Sequence, residues 1–209
     1  MEELLRQIFD KLLIFYGSQE WWPGEGLEIA VGAVLTQQTN WNNVEKALTK
    51  LKESNCLSLT CLEKISLEEL EQLIKSSGYY KVKARRLKNL IKLLSINSDP
   101  SREDLLAVNG IGFETADSIL LYLFEKPQFV IDSYTFRIMR RIGIYYGKNY
   151  SELQRVFMNN LPKDIQVYKE YHALLVKHAK NTCLRNNPKC GFCPLRNNCT
   201  YQTRKNKST

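Results

Sequence analysis

Apolar residues recur along this chain at three- and four-residue intervals, and no convincing run alternates as a half-buried strand requires. Leu4, Leu5, Ile8, Leu12 and Phe15 make one such stripe, ended by Gly17. The same spacing predicts helices over 27–35, 44–51, 67–74, 82–94, 102–107, 113–124, 134–144, 153–160 and 165–180. Gly78, Asp99-Pro100, Gly110, Pro127, Gly143 and Pro162 punctuate them, so the connections are short and the fold class is all-α. With 44% hydrophobic residues and only 10 Gly and 6 Pro in 209, the chain can bury a sizeable core and is neither fibrous nor disordered. No apolar run approaches the roughly 18 residues of a membrane span. The acidic start Met1-Glu2-Glu3 lacks a secretory signal, and the expected location is cytoplasmic.

Charge is unevenly distributed. Residues 1–130 carry 15 basic and 18 acidic side chains, a net −3, whereas residues 131–209 carry 15 and 4, a net +11. A basic C-terminal third suits a polyanion, because neutralising phosphates releases counterions whatever the base sequence. Solvated lysine faces would give the same sum.

Cys56 and Cys61 stand apart, while Cys183, Cys190, Cys193 and Cys199 follow in the pattern Cys-x6-Cys-x2-Cys-x5-Cys. Six cysteines clustered in this way do not make a disulfide scaffold, and the C-terminal four read as metal ligands. Zinc also takes four cysteines, but its usual ligands come in short-spaced pairs, from which the six-residue gap departs.

Ser101 with Asp104 forms a capping pattern, and the short helix it starts runs into Val108-Asn109-Gly110-Ile111-Gly112 before a second helix begins at Phe113. Two glycines one residue apart permit a sharp turn, and the following helix offers uncapped N–H groups to a phosphate. A packed helical hairpin needs the same glycines. Further on, Val130-Ile131-Asp132-Ser133-Tyr134 brings a carboxylate to the start of another helix, where it could also serve as the cap.

Taken together, these segments resemble the helix-hairpin-helix DNA glycosylase superfamily over nearly the whole chain. The resemblance implies that the hairpin grips DNA backbone through Asn109, Gly110, Ile111, Gly112 and Thr115, and that Asp132 is catalytic. It also implies that Gln37, in Leu35-Thr36-Gln37-Gln38-Thr39, fills the space left by an extruded nucleotide. Without the family, Gln37 and Gln38 are only polar residues at a helix end. The four C-terminal cysteines resemble the [4Fe–4S] loop of the endonuclease III and mismatched-adenine branches, with a structural rather than catalytic cluster. Lys189, Arg185 and Arg196 would present positive charge beside it.

Strand-cleaving members have lysine in Gly-x-Gly-x-Lys, where this chain has Glu114, and a Schiff base requires an amine. The mismatched-adenine branch has a glutamate proton donor four residues before the wedge glutamine; here that residue is Ala33. A substrate that needs neither is a purine made cationic by alkylation. Trp21, Trp22 and Trp41 offer indole faces for it, worth roughly 0.5–2 kcal/mol per cation–π contact, although tryptophans also pack cores. Trp21-Trp22-Pro23, the segment around Gln37 and Gly110-Ile111-Gly112-Phe113-Glu114 are similar to the Helicobacter-type 3-methyladenine DNA glycosylases. That similarity implies base stacking by Trp21, Trp22, Pro23 and Trp41, with Glu114 at the pocket mouth. This chain departs in retaining all four cluster cysteines.

The expected architecture is two-lobed: a central helical domain over 23–130 with the hairpin, and a terminal domain of 1–22 plus 131–209 with the cluster loop over 183–199 and Asp132 facing the cleft. The expected protein is a monomer that binds double-stranded DNA containing a damaged base, with no membrane partner, and hydrolyses the N-glycosidic bond. The competing readings are a bifunctional endonuclease III-like enzyme for oxidised pyrimidines and a non-catalytic DNA damage sensor. His172 and His178, six apart, fall outside the one-turn spacing of a helical metal site and read as packing or surface residues; of Arg137, Arg140 and Arg141, one reads as a phosphate contact.

Overall fold

The computed structural model describes residues 1–22 and 24–201. They form α1 (Glu2–Tyr16), α2 (Leu27–Leu35), α3 (Trp41–Glu53), α4 (Leu59–Lys64), α5 (Leu67–Leu73), α6 (Tyr80–Ile96), α7 (Arg102–Ala107), α8 (Phe113–Tyr122), α9 (Ser133–Ile142), α10 (Tyr150–Met158) and α11 (Ile165–Asn181). Among the described residues there is no strand, and no helix is long and apolar enough to cross a membrane. The chain divides into two compact units, Pro23–Lys126 and Met1–Trp22 with Pro127–Thr209. The second crossing lies at Pro127, where the sequence reading puts it after 130.

Helix starts are set by polar caps. Asn40, Ser58, Ser66, Ser101, Asp132, Asn149 and Asp164 each accept a hydrogen bond from a backbone N–H in the first turn. Ser66 with Glu69 and Ser101 with Asp104 form reciprocal capping boxes. The Asn40 cap starts α3 ahead of its apolar stripe, which is why that helix is longer than periodicity predicts; α6 also outruns its stripe, from Tyr80 to Ile96, without a side-chain cap. Helix α4 has only six residues, too few for a period to register, and Ser58 was its only sequence signal. Beside it the structure joins Cys56 to Cys61, with Cα atoms 5.1 Å apart, a pairing the sequence reading did not anticipate.

In the central unit α2 is buried from Ile29 to Leu35 and packs on α8, α3 and α6. Each fully buried aliphatic side chain contributes roughly 1.5–3 kcal/mol, so this apolar helix anchors the unit. In the terminal unit Leu5, Ile8 and Leu12 of α1 are wholly buried, and Tyr171 of α11 donates to the Leu5 carbonyl at 2.9 Å. Phe129, Phe157, Tyr168 and Tyr171 form one ring cluster, with Phe129 and Phe157 stacked at 4.1 Å.

Candidate active site

The hairpin turn joins α7 to α8. Gly110 has φ +91°, a conformation that glycine adopts without Cβ strain. Gly112 is extended and offers α8 no side-chain cap, so the first N–H groups of α8 are available to an anion. Ile111 is buried and roots the turn, while Asn109, Gly112 and Glu114 are exposed. Beneath it Arg102 grips Asp117 in a bidentate pair, Nε to Oδ1 at 2.6 Å and Nη2 to Oδ2 at 2.9 Å, and its guanidinium covers the Phe113 ring at 5.0 Å. Asp117 is wholly buried, so this pair locks α7 onto α8.

Gln37 lies against that turn. Its Nε2 donates to the Gly110 carbonyl at 3.2 Å and to the Thr115 hydroxyl at 3.0 Å, while its Oε1 accepts from Arg86. Thr115 is therefore buried under the turn with its hydroxyl directed to Gln37. Buried Lys83 donates to the carbonyls of Leu35 at 2.7 Å and Ser77 at 2.6 Å, and burial, followed by the charge of Arg86, lowers its pKa to about 8. Sequence reasoning had no signal for the contacts of Arg86 with Gln37 and of Lys83 with Leu35, because these partners lie 49 and 48 residues away along the chain.

In the terminal unit Asp132 caps α9. Oδ1 accepts from the Thr135 N–H at 2.7 Å and its hydroxyl at 2.8 Å, and Oδ2 lies 3.7 Å from Nε2 of His172. Asp132 is 8% exposed. Burial pushes its pKa up, but His172 and the two Thr135 donors outweigh burial and hold it below the ordinary carboxylate value. The cap and a charged carboxylate thus coexist in one side chain. The buried His172 belongs to this site, which its sequence spacing did not reveal.

Trp21 and Trp22, also in the terminal unit, are half-buried and meet edge to face with centroids 5.7 Å apart; Lys180 lies 5.9 Å over Trp21. Trp41, in the central unit, donates its indole N–H to Glu45 at 2.8 Å. It lines an open pocket of about 300 Å³ with Gly24, Glu28, Glu45, Leu48, Thr49 and Lys52, in which Glu28 pairs with Lys52 at 2.7 Å. Pro23 lies outside the described residues.

Cys183, Cys190, Cys193 and Cys199 are unpaired and line one small pocket with His178 and Leu195. Among the described residues no group of three or more His, Cys, Asp or Glu converges on a single metal ion. Burial, then the charges of the neighbouring cysteines, pushes the Cys193 thiol up to about 11, and Cys199 is raised as well. All four cysteines are half-buried around that one pocket, an all-sulfur donor set. Four thiols in one pocket are the donor chemistry of an iron–sulfur cubane, and the set fits that group. Arg137 and Arg141 tie this loop to α9: both donate to the Cys183 carbonyl, at 3.0 and 3.3 Å, and Arg141 also bonds the carbonyls of Leu184 and Arg185. These arginines organise the loop, a role that charge alone did not distinguish from phosphate contact.

A family model described as the HhH-GPD superfamily base excision DNA repair protein matches residues 31–163. The chain belongs to that superfamily. It is 42% identical over 212 residues to a Methanocaldococcus jannaschii protein named as a DNA repair glycosylase, covering 94% of this chain and 96% of that one. It is 31% identical to the endonuclease III of Thermotoga maritima, over 86% and 84% of the two chains. Among solved structures, the Helicobacter pylori 3-methyladenine DNA glycosylase bound to 1,N6-ethenoadenine matches with TM-score 0.75 and 28% identity, covering 86% and 96%. An endonuclease III–DNA complex matches in fold with TM-score 0.86 over 99% of both chains at 24% identity. The HhH-GPD protein is thus a DNA N-glycosylase of base excision repair, with the all-α fold of that superfamily.

Proposed function

We propose that this HhH-GPD protein is a monofunctional glycosylase that hydrolyses the bond between deoxyribose and an alkylated purine. The observation that carries the reading is the ionised, nearly enclosed Asp132 combined with a carboxylate, Glu114, at the hairpin position where a Schiff-base lysine would stand. Lys83 does not replace that lysine, because its ammonium is buried and bonded to two backbone carbonyls. An alkylated purine already carries positive charge, so the electron pair of the breaking N-glycosidic bond neutralises it without an acid. The sugar becomes oxocarbenium-like, and water forms the new bond at C1′. Oδ2 of Asp132, on the side away from the Thr135 cap, stabilises the sugar cation and takes the water's proton. The indoles of Trp21 and Trp22, which meet edge to face, supply electron-rich faces for the cationic base, Trp41 in the central unit is a further such indole, and the similarity to a glycosylase bound to ethenoadenine supports a purine. Glu114 is exposed in the first turn of α8, in the central unit.

Cys183, Cys190, Cys193 and Cys199 would hold a [4Fe–4S] cluster that supplies stability and a basic loop for duplex DNA rather than bond-breaking. A brown protein containing about four irons supports this, whereas a colourless protein with one zinc refutes it.

Duplex DNA treated with dimethyl sulfate tests the main reading. The wild type should release methylated purine, Asp132→Asn should release none while still binding duplex, and borohydride should trap no covalent adduct. A trapped adduct would establish the bifunctional mechanism instead, and an inactive wild type that binds damaged DNA would leave only a sensor.

A further inference from the structure

The amide of Gln37 is fixed from both sides. Arg86 of α6 donates to its Oε1, which leaves the NH2 directed at the Gly110 carbonyl and the Thr115 hydroxyl. Arg86 also touches the hairpin itself. Its stem crosses Gly110 so closely that a Cβ there would collide with Cγ, Cδ and Nε. One side chain therefore bridges the glutamine segment and the hairpin turn. Three residues earlier on the same helix, Lys83 holds the Leu35 carbonyl at the end of α2, which fixes the backbone that leads to Gln37.

We propose that Arg86 is a positioning residue for nucleotide extrusion, clamping Gln37 in register with the hairpin turn so that seating of the DNA backbone and entry of Gln37 into the duplex form one event. This rests on Gln37 being the side chain that fills the vacated space. The ordering entropy of a long amide side chain is met during folding rather than on DNA, so the clamp acts on discrimination between damaged and intact duplex. Neither the sequence spacing nor the capping pattern marks Arg86; its two contacts do.

The probe is a duplex that carries a tetrahydrofuran abasic analogue opposite 2-aminopurine, compared with an intact duplex of equal length. Affinity and 2-aminopurine fluorescence are measured for the wild type, Gln37→Ala, Arg86→Ala, Arg86→Lys and the Gln37→Ala/Arg86→Ala double variant. Arg86→Ala should lower the lesion-to-intact affinity ratio about tenfold, as expected for losing a hydrogen bond to a charged group, with intact-duplex affinity changed less than about twofold. Arg86→Lys keeps the charge but not the fork, and should lose most of the same ratio; as the milder change it also serves if Arg86→Ala fails to fold. In the Gln37→Ala background Arg86→Ala should cause no further loss of ratio or fluorescence. Equal losses on both duplexes would make Arg86 a plain phosphate contact, and an undiminished effect in the Gln37→Ala background would make it an independent structural residue; either overturns the clamp alone. A Gln37→Ala protein with an unchanged ratio would overturn the filling role of Gln37 and the clamp with it.

Discussion

Asp132 divides its work between two oxygens. Oδ1 is occupied by Thr135 and starts α9, while Oδ2 faces His172. The contacts with His172 and Thr135 keep the group charged despite burial, so its contribution to stability is complete above the unfolded value of about 3.9 and is lost as pH falls through the lower folded value. Replacing His172 by Gln removes the imidazole and leaves burial opposed by Thr135 alone. The acidic limb of base release should therefore move to higher pH in His172→Gln, which a rate profile between about pH 4 and 7 detects; an unmoved limb would show that the imidazole does not support the carboxylate. The sequence made Asp132 visible because a short motif surrounds it. His172 was invisible because nothing in an apolar helical stripe tells which residue will face a distant cap.

At the scale of elements, the hairpin is rigid because its two helices are tied underneath as well as joined at the turn. Arg102→Ala strips the buried Asp117 of its bidentate partner and should cost roughly 3 kcal/mol in denaturant unfolding. Gly110→Ala should cost roughly 2 kcal/mol from the positive φ alone, displace Arg86, and weaken binding to every duplex in a gel-shift titration. The Ser101–Asp104 capping box and the Gly-x-Gly turn were legible because they are local. The Arg102–Asp117 tie spans the turn, and α4 was too short to show a period, so neither could be read before the chain was folded.

Over the whole molecule, the positive charge predicted for DNA is partly committed elsewhere. Arg137 and Arg141 hold backbone carbonyls of the cysteine loop, whereas Arg185, Lys189 and Arg196 are exposed on it. Replacing these three by Ala should weaken binding to any duplex and reduce the slope of log affinity against log salt by roughly 3, one per phosphate contact. An unchanged slope would place the phosphate contacts elsewhere. Fold class and the cysteine grouping were legible from the sequence because both repeat along it. The Cys56–Cys61 pairing was not, since two cysteines five apart say little about whether a turn brings them together.

The terminal unit is assembled from both ends of the chain, with α1 seated on α11 through Leu5 and Tyr171 and through Tyr16 and His178. During synthesis α1 emerges before the whole segment Pro23–Lys126, and its partner α11 only after it. Until α11 has been made, the apolar side of that amphipathic helix lacks its partner, and a premature stop before α11 leaves it bare.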